Sequence, residues 1–215
     1  MLAQLPTAAP NFPQLPGPPL LPHLLFENPW PLVGLFGVGA VVVWAGFRHR
    51  LGARRGTLVA SLLLLAAIAS WCLATFVTTD REKVIRGTRA LVEALAVADA
   101  QTVRTLTAEG AWAQAYQRWE RDQLLEMLDA AARNNARYSV GGASFTITSY
   151  RIRSIRAEVQ TPIIAKTQVN VVGETDAGHP TPTWFQLDWD KGQDGVWRLR
   201  SVDLLWDLYR GNHPR

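Results

Sequence analysis

Residues able to do chemistry are few in this chain, and their spacing argues against most of it. The four histidines, His23, His49, His179 and His213, are scattered, and no H-x-x-E-H, H-E-x-x-H or paired-cysteine pattern gathers ligands for a metal. Cys72 is the sole cysteine and lies within an uncharged apolar run, so neither an internal disulfide nor a reactive thiolate is expected. No G-x-S-x-G is present, and Gly141-Gly142-Ala143-Ser144 lacks the lysine and helix of a phosphate loop; it reads as a turn entering a strand. General acid–base chemistry needs a carboxylate or imidazole whose pKa burial has moved. Asp188 and Asp190 fall on a charged strand face beside Arg198, and Asp203 alternates away from the core. No carboxylate falls on an apolar face. No catalytic, cofactor-binding or metal-ligating residue is therefore assigned.

The elements that hold these residues divide at a membrane. Thr57 to Val77 is uncharged over 21 residues. At ~1.5 Å of rise per residue it reaches roughly 31 Å, the thickness of a bilayer's hydrocarbon. Pro31 to Phe47 is a second uncharged stretch, at the short limit for a span, with Trp30 and Arg48 at its two ends. The loop between them, residues 48–56, carries Arg48, Arg50, Arg54 and Arg55 and no acid. Loops rich in arginine stay in the cytoplasm. The expectation is a transmembrane hairpin over residues 31–77 in a cytoplasmic (inner) membrane, with both termini extracytoplasmic, periplasmic in a bacterium. Ala66, Ser70 and Ala74 recur every four residues on the second span, and Gly34 and Gly37 thin the first. Small residues so placed let helices approach closely, either the two spans or one span and a partner helix.

Charge then separates anchor from domain. The chain carries 22 Lys and Arg against 18 Asp and Glu. Residues 78–215 hold 18 of those bases and 17 of the acids, so the high isoelectric point belongs largely to the loop. No basic field is left to neutralise a row of phosphates, and nucleic acid is not an expected partner.

Residues 1–30 form a tail. Of the 13 prolines, nine lie within the first 31 residues, interspersed with Leu15, Leu20, Leu21, Leu24, Leu25 and Phe26. Such density favours an extended, polyproline-like chain. Its apolar residues suit packing along a partner or the membrane surface; the other reading is a disordered tail. Beyond the second span, Thr79 and Glu82 fit a capping box that starts a helix carrying Val84, Leu91, Val92 and Leu95. A short helix is expected from Ala100 to Leu106 behind an Asp99 cap. A third is expected from about Ala111 to Arg133, with Trp112, Tyr116, Trp119, Leu124 and Leu128 on one side. After Gly141-Gly142 the period becomes two. Parity switches between Phe145 and Val159 predict a long strand bent by bulges. The last hairpin, closed at Asp190 and Val196, would set Asp188 opposite Arg198 and Gln186 opposite Arg200. Leu187 would then face Leu199, and Trp189 would face Trp197.

Helices followed by a meander of long antiparallel strands is an α+β layout. Residues 80–205 resemble the nuclear-transport-factor-2-like (SnoaL-like) superfamily. The resemblance is carried by ALVEALAVADAQTVRTLTAEG at 90–110 and GVWRLRSVDL at 195–204. It implies a cone-shaped domain over residues 78–215, with three helices packed on a curved antiparallel sheet behind the two transmembrane helices. Isomerases and dehydratases of that superfamily use an Asp or His base with Tyr donors in the cone. The corresponding types here are Tyr116, Tyr138 and Tyr150 with Asp188, Asp190, Asp203 and Asp207.

Of the nine tryptophans, six fall in this domain. Core positions account for Trp112, Trp119, Trp189 and Trp197. Trp184 shares a face with Gln186 and Asp188, and Trp206 with Tyr209 follows the last strand, which makes these three the candidates for an exposed partner surface. The expected role is a non-enzymatic accessory or scaffolding subunit of a larger membrane complex or homo-oligomer. The alternative is a membrane-tethered isomerase or dehydratase acting on a small hydrophobic substrate.

Overall fold

A computed structural model describes residues 12–17, 28–47, 53–115, 117–140, 143–176, 178–207 and 211–212. The chain divides into two compact units, one of residues 18–82 and one of residues 1–17 with 83–215.

In the first unit, α1 (Trp30–Val42) opens on Pro29 with Pro31 in its first turn, where a missing N–H costs nothing, and continues into a π-helical turn, Val43–Phe47. The second helix, α2 (Ala53–Phe76), starts four residues before the expected span, so Arg54 and Arg55 fall in its first turn. Arg48 and Arg50 lie outside the described residues, as do the side chains of Arg54 and Arg55. Residues Gly56–Phe76 of α2 are long and apolar enough to cross a membrane; Trp30–Gly46 is a shorter apolar helix. Leu58, Leu62, Leu65, Ile68 and Phe76 stand exposed on α2. The two helices meet through small residues, but not the expected set. A Cβ at Gly39 would stand 3.6 Å from Leu63 Cδ1, and Ala40, Ala67 and Ser70 are buried, whereas Gly34 and Gly37 have open space and Ala66 and Ala74 are only half-buried. The buried face follows 60, 63, 67 and 70, a repeat alternating three and four, because two packed helices share a seam rather than an every-fourth-residue row. Ser70 donates to Ala66 O at 2.8 Å, satisfying its hydroxyl within its own helix.

The second unit is an α+β body. Its first helix, α3 (Asp80–Ala96), begins at the capping box read from the sequence: Glu82 N donates to Thr79 Oγ1 at 3.2 Å and Thr79 N to Glu82 Oε2 at 3.0 Å. The next, α4 (Ala100–Leu106), is capped by Asp99, which accepts from Thr102 N at 3.0 Å and Thr102 Oγ1 at 2.6 Å. Those bonds hold the Asp99 carboxyl below its ordinary pKa.

The expected long third helix is corrected. Residues after Leu106 extend as β1 (Thr107–Gln114), pair with β2 (Arg118–Glu120), and only then form α5 (Arg121–Arg133). Trp112 and Trp119 have helical spacing, yet β1 satisfies its backbone by parallel pairing with a strand almost ninety residues away, Trp112 opposite Ser201. The true helix start is a reciprocal cap of Glu120 and Gln123, which puts the first helical residue at Arg121.

Strands β3 (Arg137–Val140), β4 (Ala143–Thr161), β5 (Ile164–Thr175), β6 (Gly178–Lys191) and β7 (Trp197–Asp207) complete the sheet in the order β2-β1-β7-β6-β5-β4-β3, with β8 (Gly211–Asn212) pairing the end of β7. The long bent strand is β4, whose pairing with β5 shifts register between Ile147 and Ser149 and between Ile152 and Ser154. The β6–β7 register differs from expectation by two residues at its loop end, where Asp190 faces Arg198 and Trp189 faces Leu199, and by three beyond the bulge between Asp188 and Trp189, where Asp188 faces Ser201 and Leu187 faces Val202. The shift of two keeps side chains on their faces and changes only their neighbours, and the bulge adds Arg200 as an extra residue on β7. The cause is the loop, which turns over Gly192 to Val196 with Gly195 at φ +76°. Asp194 and Arg198 fill the space where a Gly192 Cβ would stand.

The core lies between the three helices and the inner face of the sheet. At its centre Thr88, Thr167 and Trp189 are fully buried. Trp189 Nε1 donates to Thr167 Oγ1 at 3.1 Å, the two threonine hydroxyls meet at 3.0 Å, and Thr88 donates to Val84 O at 2.9 Å. Only one proton order satisfies all three: indole to Thr167, Thr167 to Thr88, Thr88 to the helix carbonyl. Gly87 in mid-helix lets α3 lie on the Trp189 ring, since a Cβ there would stand 3.1 Å from it.

Thr167→Val keeps the volume but strands the buried indole N–H, so it is expected to lower unfolding stability by about 2 kcal/mol, read by denaturant titration of tryptophan fluorescence. Asp194 is held down to about 2, first by its hydrogen bonds from Arg198 and then by that from Val196 N. A depressed carboxyl stabilises the fold above its unfolded pKa and stops doing so as pH falls through the folded one. Asp194→Asn is therefore expected to lower the melting temperature slightly near neutral pH, with the difference from wild type vanishing between about pH 4 and about pH 2.

Candidate functional site

The helices cover one end of the sheet and leave the other open. There the second half of α3 (Leu91, Val92, Leu95, Ala96) faces β4 (Phe145, Ile147, Tyr150), β5 (Val169, Val171, Gly173, Thr175) and β6 (Thr181, Thr183, Phe185, Leu187) around a cavity of about 580 Å³. Inward-pointing strand positions are two apart, so the alternation that built the core also builds the wall. The register shifts of β4 bend it around the opening.

No Asp, Glu, His, Lys or Arg lines this cavity among the described residues; its polar groups are threonine hydroxyls and the Tyr150 phenol. His179 lies in β6 beside the lining residue Gly178, and its side chain is outside the described residues. Tyr138 is buried at the cavity's back, stacked on Phe145 at 5.7 Å and donating to Leu95 O. Burial pushes its phenol pKa up, so it stays neutral and committed to that carbonyl. Such walls can hold an uncharged, largely apolar molecule, and among the described residues they offer no acid–base pair to transform it.

The other residues singled out from the sequence lie elsewhere. Asp188 and Asp190 share Arg200 at 3.4 and 3.5 Å on the outer face, and Asp203 is half-buried opposite Gln186. Asp207 is a buried carboxylate, 3% exposed at the end of β7, opposite Thr183. It does not line the cavity. Tyr116 and Tyr209 lie outside the described residues. No group of His, Cys, Asp or Glu suited to a metal occurs among the described residues.

The aromatic surface is also corrected. Trp184 and Trp206 are each 8% exposed, buried with Leu205 on the outer face of the sheet, and Phe12 packs against them. The Phe12 ring meets Trp184 edge-on at 5.3 Å. Just beyond, Gln168 Nε2 donates to Pro13 O and Gln168 Oε1 accepts from Leu15 N, both at 2.9 Å. The proline-rich tail thus supplies residues 12–17 to the domain itself. Sequence reasoning missed Phe12 and Gln168. The available signal was a tryptophan on a polar strand face that also carries Gln168 and Asn170, which only a covering segment makes sense of.

No family model and no curated protein matches the chain. Among solved structures it is similar to an NTF2-like protein from Cytophaga hutchinsonii (8% identity, covering 59% of this chain and 98% of that one, TM-score 0.48). It is similar also to an NTF2-like protein of unknown function in nutrient uptake from Rhodospirillum rubrum (12%, 56% and 95%, 0.46). A third is a ketosteroid isomerase-like protein from Erwinia carotovora atroseptica (12%, 60% and 96%, 0.46). Likeness at these identities concerns the fold, and no ligand passes from them to this chain. The helix-covered, curled sheet described above is the layout that the resemblance at 90–110 and 195–204 implied.

Val171→Glu places a carboxylate in the apolar wall. It is expected to weaken binding of the apolar fluorophore 1-N-phenylnaphthylamine by about tenfold or more while leaving the far-ultraviolet circular dichroism unchanged.

Proposed function

We propose that this chain is a non-enzymatic, membrane-anchored subunit of a larger membrane assembly, presenting outside the cytoplasm a domain that holds an uncharged apolar molecule. The cavity carries this reading: about 580 Å³, walled by α3 and four strands, with no ionisable group but the Tyr150 phenol among the described lining residues. That size and composition suit ligand burial, and the described walls lack the desolvated base that proton abstraction needs.

The anchor in this proposal is the two-span hairpin, and the tail supports it. Phe12, Pro13 and Leu15 rest on the same compact body as residues 83–207, so the chain leaves and rejoins that body on one side of any membrane it crosses. A crossing by α2 then requires a second, and Trp30–Gly46 is the apolar helix placed to make it. The arginines between the two put that loop in the cytoplasm and both termini outside.

The alternative, an isomerase or dehydratase, finds one supporting feature in the buried Asp207 opposite the cavity residue Thr183. It would draw support from turnover of an apolar ketone or alcohol that Asp207→Asn abolishes.

Two measurements test the proposal. In a Cys72→Ser background, Gln14→Cys and Gln193→Cys are both expected to react with a membrane-impermeant maleimide in intact cells, and Gly52→Cys only after lysis. Reaction of the first two from opposite sides would overturn the hairpin. Purification in a gentle detergent is expected to bring other chains down with this one in fixed ratio; a clean monomer would overturn the assembly.

A further inference from the structure

Residues 12–17 rest on the outer face of the sheet. Gln168 is 1% exposed, and its amide both donates to Pro13 O and accepts from Leu15 N, gripping the backbone on either side of Gln14. A strand at a sheet edge would make the same pair of bonds; here one side chain makes them, so the residue between is left unread. Specificity comes from the ends. Pro13 and Pro16 favour the extended form that the grip needs, and Phe12 enters the site made by Trp184, Leu205 and Trp206.

Among the described residues, 12–17 leave one polar group of this face unmet. Asn170 lies two residues along β5 from Gln168 and directly opposite Trp184, on the same face. It is 9% exposed, and its Oδ1 is buried with no hydrogen-bond partner among the described residues. A buried acceptor left unmet is costly, so an occupant that donated to Asn170 would hold the groove better than the tail does. Both features point the same way: the face reads backbone and proline pattern, and its present occupant is imperfect.

We propose that this groove is the docking site for an extended, proline-containing segment of a partner protein, with residues 12–17 as a displaceable placeholder in cis. The segment it takes has an aromatic residue before a proline and a free N–H two positions after that proline, as Phe12, Pro13 and Leu15 have. It also donates a hydrogen bond to Asn170. The proposal rests on the reading of this chain as an assembly subunit and names the surface by which it joins.

The probe is a fluorescein-labelled peptide copying residues 11–17, measured by anisotropy on detergent-solubilised protein. A chain lacking residues 1–17 is expected to bind it saturably, and the full chain about tenfold or more weaker, because the tethered tail competes. Gln168→Ala in the shortened chain is expected to cost about tenfold. The full chain carrying Phe12→Ala and Leu15→Pro empties the groove without a deletion and must show the same gain in binding. Absence of that gain in both forms, or indifference to Gln168→Ala, would overturn the groove.

The partner is then sought with a photo-crosslinking amino acid at Asn170 in native membranes. Adducts on a proline-containing segment of a different chain support the proposal. Adducts confined to this chain's own tail, or to a second copy of it, overturn it. Companion chains that still co-purify with Gln168→Ala would sink the groove and leave the assembly standing; a wild-type chain that purifies as a monomer would remove both.

Discussion

Everything in the soluble body hangs on one buried relay of protons, from the Trp189 indole through Thr167 to Thr88 and the carbonyl of Val84. Dispersion and apolar burial hold α3 on the sheet but do not say where along it the helix rests, because they are non-directional. The relay does. It joins β6, β5 and α3 at one point, and a slip of α3 by one residue would leave a hydroxyl or an indole N–H unpaired where no water reaches. Gly87 belongs to the same constraint, since a Cβ there would stand 3.1 Å from the Trp189 ring and push helix and ring apart by a few tenths of an ångström.

From that fixed point the two working surfaces follow. With α3 pinned over Trp189, its second half overhangs the far end of β4, β5 and β6, where the helices do not fill the sheet and the cavity opens. The strands that line the cavity with Val169, Val171 and Phe185 carry Gln168, Asn170 and Trp184 on their reverse. One pair of strands therefore makes an apolar pocket inside and a peptide groove outside, the two set by alternation alone. Because Val169 separates Gln168 from Asn170 along β5, a ligand that moved that strand would alter both surfaces together.

Much of the architecture was legible in single residues. Thr79 with Glu82, and Asp99 before Thr102, gave helix starts that the structure keeps, because a cap is a local bond between residues three apart. The parity breaks in β4 were legible for the same reason. The segment after Leu106 was not. Trp112 and Trp119 have the spacing of a helix, and the parallel pairing that makes β1 a strand is to residues almost ninety positions away. The β6–β7 register failed by two residues at its loop end, because loop geometry at Gly192 to Gly195, rather than charge pairing, sets where the hairpin closes, and by three beyond the bulge between Asp188 and Trp189. Among the candidates for partner contact, Trp184 and Trp206 are buried rather than exposed, in a cluster of their own with Leu205, since their cover comes from more than 170 residues upstream.

What is local or additive was set by the amino-acid sequence alone: two apolar segments, the acid-free arginine loop between them, the caps, the two-residue period, and the lack of any clustered metal or nucleophile pattern. These depend on composition and on spacings of a few residues, which the backbone's own geometry translates directly. Only the tertiary structure decided that the cavity is open and apolar, that Asp207 is buried, that Gly39 and Ala67 rather than Gly34 and Ala66 pack the helices, and that the proline-rich tail lies on Gln168. Each of those is a meeting of residues distant along the chain. Their partners are chosen by which surfaces are left when the core has closed, and no local period carries that information.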